Sequence, residues 1–336
     1  MTASSAHRLL SIHDALAHPF VRAAVAGLAV VLAAFPVVLA VVQRARSIDE
    51  KVRRELWDRY LSWLIFVPLM VGPVLLGAAA TIGAVGMLGL ACYREFARAT
   101  GLFRWTLGSA VVAVGIIAIT LSVADHWYSL FVALPTLWIG VIAAAALLVD
   151  RPSDYIQRVA LATFAYLLFG VCFGHLGYLA NDGRYRPILF WLVLCVEGND
   201  ILAYVAGKAV GRRHFAPNTS PNKTVGGAVG ALVGTTVLAV LLGRPALAGL
   251  SVDTVPRLVL LGLILSVTAQ VGDLTLSSVK RNLNIKDWAA TFPGHGGLLD
   301  RFNSLLFSAP AAMLFIGYFD GIGLDQPSRI FTGGGW

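Results

Sequence analysis

The sequence predicts an all-α, polytopic integral membrane protein of about 9–10 transmembrane helices, and three observations carry that prediction. Of 336 residues, 57% are hydrophobic and 13% charged, against about 25% charged in an ordinary soluble domain. Uncharged apolar runs of the roughly 20 residues needed to cross a bilayer recur along nearly the whole chain. Basic residues, finally, gather in alternate loops, as they do where short loops are retained on the cytoplasmic side.

The first run, Ala23 to Val42, passes directly into Gln43-Arg44-Ala45-Arg46 without a small-residue cleavage site, so it reads as a retained span and not as a signal peptide. Arg44 to Arg59, with both signs interspersed, reads as a solvated amphipathic connector. Leu61 to Tyr93 carries no charge and is too long for one crossing at about 1.5 Å per residue; two helices broken near Gly83 are expected. Further spans are Thr106–Val123, Ser129–Val149, Val159–Ala180, Pro187–Ala206, Val225–Leu242, Leu258–Leu274 and Leu305–Phe319. Four segments follow: 1–104 with the N-terminal helices and connector, 105–186 with the middle helices, 187–320 as the catalytic membrane region, and 321–336 as a tail.

Placing Arg44–Arg59 inside puts Arg94–Arg104, Asp150–Arg158, Gly207–Lys223 and Thr275–Asn303 inside too, each with two or more basic residues. Both termini then lie outside, and only Asn181–Arg186, with Arg184 and Arg186, fits badly. Cys92, Cys172 and Cys195 lie within apolar runs without metal-ligand spacing and read as buried spectators.

Four of the five lysines (Lys208, Lys223, Lys280, Lys286) fall in just two of the inner loops. The positive-inside rule accepts Arg or Lys in any inner loop, so this concentration points to a shared polyanion site. Acidic residues near membrane depth are costly and hence functional candidates; Glu197, Asp200 and Asp273 qualify, with an interhelical hydrogen bond as the plain alternative for Glu197. On a helix, Asp273, Ser277 and Lys280 share a face, an oxygen-rich surface beside positive charge that suits Mg²⁺ and phosphate. Pro293-Gly294-His295-Gly296-Gly297 offers backbone N–H groups for an anion nest, directly before Asp300 and Arg301, where a helix can begin. Ser220-Pro221-Asn222-Lys223-Thr224 is a turn that sets Lys223 at a helix N-terminus, where anions are favoured.

The stretch from Ser277 to Arg301 reads Ser, any, apolar, Lys-Arg, four residues, Lys-Asp, a spacer, then His-Gly-Gly, apolar, any, Asp-Arg. It resembles the signature of the phosphatidate cytidylyltransferases, the CDP-diacylglycerol synthases. Asn199-Asp200 with Ala203-Tyr204, the Ser220–Thr224 turn and Gly272-Asp273-Leu274 resemble that family's other blocks. The resemblance is firm from Glu197 to Ser304. Two departures stand out: Val225-Gly226-Gly227 where the family has Trp-Glu-Gly, and Asn303 where an Asp is typical.

The resemblance implies transfer of a cytidylyl group from CTP to phosphatidic acid in phospholipid biosynthesis, at the inner cell membrane with the site loops cytoplasmic. It implies Mg²⁺, with a second cation left open, held by Asp273 and Asp300 with help from Ser277. Lys280, Arg281, Lys286 and Arg301 would neutralise phosphate oxygens, and His295 would shape the nest of Gly296 and Gly297. Asp287 would bind metal or cap the loop, and Asn199, Asp200, Tyr204, Ser220 and Lys223 would form the pocket wall. A CTP-dependent enzyme acting on a polyprenol or isoprenoid ether lipid, a transporter and a membrane scaffold are the alternatives. Nucleic acid is excluded as the polyanion despite a net charge of +8, because the basic groups lie on short loops without an aromatic stacking platform. The oligomeric state, a homodimer included, stays open.

Overall fold

The structure, a computed structural model, describes residues 9–12, 14–45, 49–289, 296–324 and 327–333. His295, with the Pro293-Gly294 that precedes it, lies outside the described residues.

The long helices are α1 (Pro19–Ala45), α2 (Glu50–Leu76), α3 (Ala78–Thr100), α4 (Thr106–Ala124) and α5 (Tyr128–Leu147). Next, α6 (Tyr155–Tyr166) runs through a π-helical turn into α7 (Phe173–Tyr178). The remainder are α8 (Tyr185–Val210), α9 (Val225–Ala246), α10 (Val255–Asn282), the one-turn α11 (Leu299–Phe302) and α12 (Leu305–Asp320). An isolated antiparallel bridge joins His214 to Thr224.

Among the described residues, eight helical units are long and apolar enough to cross a membrane: α1, α2, α4, α5, the α6–α7 unit, α8, α9 and α10. Helix α3, which carries Arg94, Glu95 and Arg98 near its end, and the shorter, 16-residue apolar α12 stand beside these eight, against about 9–10 spans expected from hydropathy. The protein is therefore all-α and polytopic, as its composition demands: in hydrocarbon every backbone polar group must be satisfied within its own segment.

Two local expectations are corrected. The break in the long uncharged run falls at Gly77, not near Gly83, because the backbone there takes φ 134° and a Cβ would stand 2.6 Å from the carbonyl oxygen of Leu9. The charged stretch after α1 is not a free connector: from Glu50 onward it is already α2, started by the Asp49 carboxylate, which accepts the backbone N–H of Lys51.

Helices α8, α9, α10 and α12 pack side by side, α9 against both α8 and α10, and α10 against α12. Chain alternation brings the C-terminal ends of α3, α8 and α10 to the same side as the N-terminal ends of α9 and α12. That side carries the candidate site.

Candidate active site

Asp200 and Asp273 enter the site from the C-terminal halves of α8 and α10, the two helices that flank α9. They line an open cavity of about 220 Å³ together with Tyr204, Lys223, Gln270 and the N-terminus of α9. The Asp273 carboxylate pairs with the Lys223 ammonium, and its other oxygen accepts the Asn303 side-chain amide at 2.6 Å. Asn303 in turn accepts the backbone N–H of Ser304 at 2.8 Å, and the Ser304 hydroxyl donates to Asp200 at 2.8 Å. One hydrogen-bonded chain thus runs Lys223, Asp273, Asn303, Ser304, Asp200 across four elements.

Close backbone approach makes the chain feasible. Gly272, beside Asp273, lies against the Asn303 carbonyl oxygen, where a Cβ would be 2.5 Å away. Below the cavity floor, the buried Asn199 turns its carbonyl oxygen to the hydroxyls of Thr235 (3.1 Å) and Ser266 (2.7 Å). Its amide group is thereby left facing Asp200 at 3.4 Å. Glu197 lies three residues before Asp200 on α8.

Asp300 belongs to a second, more enclosed cluster. One oxygen accepts the Lys280 ammonium at 2.7 Å; the other accepts the backbone N–H groups of Trp288 and Gly297, both at 3.0 Å. Gly296, at φ 74°, lets the chain turn over this carboxylate. The loop is also held from a helix distant in sequence: Glu95, 9% exposed near the end of α3, accepts the backbone N–H of Leu298 at 3.0 Å and of Leu299 at 2.9 Å. These are the orphan donors at the start of α11.

Of the residues singled out from sequence, Asp273, Lys223, Asp200, Asn199 and Tyr204 come together in the first cluster. Lys280, Asp300, Gly296 and Gly297 come together in the second. Ser277 is half-buried on α10 between them. Arg281 donates to the Thr219 carbonyl at 3.1 Å and so ties the Ser220–Thr224 turn to the end of α10. Lys286, Asp287 and Arg301 are exposed, and Ser220 supports the turn by accepting the Lys223 N–H. Lys208 places its ammonium 4.5 Å from the centre of the Tyr204 ring.

Sequence reading missed Glu95, Thr235 and Ser266 as site supports, and noted Asn303 only as a lost carboxylate. Asn303 and Ser304 are in fact the bridge between the two aspartates of the open cavity. The Val225-Gly226-Gly227 departure has a packing correlate: a side chain at Gly226 would meet the Val210–Gly211 backbone at 3.0 Å.

Hard oxygen donors on Asp200 and Asp273, beside an ammonium and an open polar cavity, fit Mg²⁺. Asp300 would join them only by exchanging its Lys280 partner.

Comparison with known proteins adds the following. Residues 57–319 match the sequence model described as "Cytidylyltransferase family". The chain is 35% identical over 184 residues to "Uncharacterized protein YnbB" of Escherichia coli K12, covering 53% of this chain and 60% of that protein. It is 37% identical over 164 residues to the "Phosphatidate cytidylyltransferase" of Bacillus subtilis, covering 48% and 60% respectively. With the protein of the same description from Brucella suis it is 40% identical over 147 residues, covering 43% and 51%. The chain thus spans about half to three fifths of the length of these relatives.

Proposed function

Because the chain belongs to the cytidylyltransferase family, we propose that it transfers a cytidylyl group from CTP to phosphatidic acid, giving CDP-diacylglycerol and pyrophosphate. The observation that carries this reading is the joining of Lys223, Asp273, Asn303, Ser304 and Asp200 around one open cavity, with the Lys280–Asp300 loop beside it.

In the proposed reaction, an oxygen of the lipid phosphate forms a bond to the α-phosphorus of CTP as the bond to the β-phosphate oxygen breaks. A phosphomonoester with a second pKa near 6 is largely dianionic at pH 7, so the nucleophile needs no general base. What the protein supplies is alignment and charge neutralisation. Lys223 can pass its ammonium from Asp273 to a phosphate oxygen. Arg281, Lys286 and Arg301 are exposed and bring further positive charge to the segment that follows Asp273, and Tyr204, which lines the cavity, offers an exposed ring to the base or glycerol. When bound, Mg²⁺ would supply charge compensation for the triphosphate, held by Asp273 and Asp200. The basic residues of the Gly207–Lys223 and Thr275–Asn303 loops support a cytoplasmic orientation of the site under the positive-inside rule.

The test is product analysis of purified protein with radiolabelled CTP, Mg²⁺ and phosphatidic acid. Labelled CDP-diacylglycerol is expected, and its absence with retained CTP binding would overturn the acceptor. The Gly226 and Asn303 departures bear on the acceptor, and competing isoprenoid ether lipid and polyprenol in the same assay test the second reading.

A further inference from the structure

An apolar cavity of about 300 Å³ lies between α2, α3, α8 and the turn that carries Asp300. On α3 its wall is formed by Thr81, Ala84, Leu88 and Ala91, spaced three and four apart so that they form one helical face. The stripe extends about 15 Å along the helix axis. The one polar residue lining the cavity, Thr81, turns its hydroxyl away to the carbonyls of Gly77 (2.9 Å) and Pro73 (3.1 Å). Among the described residues the cavity wall is therefore almost wholly hydrocarbon.

Its two ends differ. At the outer surface it opens beside Leu69 and Met87, which are 51% and 67% exposed on faces that a bilayer would cover. At the site end it is closed by Leu298 and Phe302, the residues that flank Asp300 and Arg301. The next position along the α3 stripe is Glu95, which holds the backbone of Leu298 and Leu299. One face of α3 thus leads from a lipid-facing mouth, along a hydrocarbon wall, to the loop that carries the phosphate-binding charges.

We propose that this groove holds one acyl chain of the lipid acceptor, with the lipid phosphate at the Asp300–Arg301 end. The inference rests on the functional reading above and adds where the acceptor's chain lies. A long chain gains by burying methylenes along the groove, whereas a chain too short to reach Ala84 gains nothing there. Ala84 is eleven residues before Glu95, or about 16 Å.

The experiment compares wild type with Ala84→Phe, in detergent, on dioleoyl and dihexanoyl phosphatidic acid. Expected is a rise of about tenfold or more in KM for the dioleoyl acceptor, since losing a few buried methylenes suffices for that, with kcat/KM for the dihexanoyl acceptor unchanged. An equal loss on both acceptors, or on neither, overturns the proposal. A second arm uses folded wild-type protein and phosphatidic acid bearing a diazirine near its chain terminus. Labelling should concentrate on α2 and α3 and be competed by unlabelled dioleoyl acceptor. Labelling spread evenly over the outer helices, or indifferent to competitor, marks ordinary boundary lipid and overturns it. Should wild type make no CDP-diacylglycerol, the functional reading fails and the labelling arm still decides this one.

Discussion

Asp273 and Asp300 each pair with a lysine, yet the two pairs stand in different surroundings. In the Lys223–Asp273 pair the side chains are 25% and 23% exposed and border the open cavity, and the second carboxylate oxygen meets a neutral amide. In the Lys280–Asp300 pair they are 13% and 10% exposed, and the carboxylate also gathers two backbone N–H groups from its own loop. A partly exposed pair is easily exchanged for a ligand, because water and substrate compete for each partner. An enclosed one is costly to break by removing a single member, since the other charge is left buried. The first aspartate is therefore placed to meet substrate, the second to build the loop that meets it.

The largest effect that would sharpen this contrast is expected from Asp300→Asn. The asparagine oxygen can keep the two backbone donors, but its NH₂ then faces the Lys280 ammonium, donor against donor. Turnover should be lost and stability should fall by about 3–5 kcal/mol, read by denaturant or thermal unfolding in detergent. Asp273→Asn comes next: kcat/KM should fall by roughly 100- to 1,000-fold, while the melting temperature stays close to wild type. Equal destabilisation by the two substitutions would break the comparison.

Glu95→Gln tests the support of the second cluster from outside. Its amide group would face one of the two N–H donors of Leu298 and Leu299. A fall in kcat of about tenfold is expected, the scale of losing one charge-assisted hydrogen bond, with KM for CTP little changed and Glu95→Asp partly restoring the rate. A loss confined to KM would remove Glu95 from loop positioning. The smallest effect belongs to Asn303→Asp, which would set a third carboxylate beside Asp273 and Asp200. Without Mg²⁺ the variant should melt below wild type through like-charge repulsion, and added Mg²⁺ should raise its melting temperature more than it raises that of wild type. An identical Mg²⁺ response in both proteins would place the ion elsewhere.

Much of this was legible in the sequence. The spans follow from hydropathy, and the motif residues from spacing: Asp273 and Lys280 are on one helix, Lys223 follows a turn, and the glycines precede α11. Glu95 was not legible, because a charge at the end of an apolar run reads as the start of a loop, and only packing shows that α3 continues to Thr100 and delivers its carboxylate to residues 298 and 299. Thr235 and Ser266 were hidden for a related reason: a hydroxyl on an apolar helix normally returns its proton to the helix's own backbone, and their turn towards Asn199 depends on the neighbouring helix. The break at Gly77 was misplaced because its cause is the contact with Leu9, far away in sequence.

Asp200, Asp273 and Lys280 stand on different turns of two helices, and Lys223 and Asp300 at the starts of two more, so the site exists only while those helices keep their heights relative to one another. A slip of one residue would displace a carboxylate by about 1.5 Å, and bilayers of different thickness press helices to tilt or shift. The contact of Gly272 with the Asn303 carbonyl acts as a mechanical stop between α10 and the chain entering α12. Helices α1 and α2, which are largely exposed, are left to absorb the changes in membrane thickness that the interlocked helices resist.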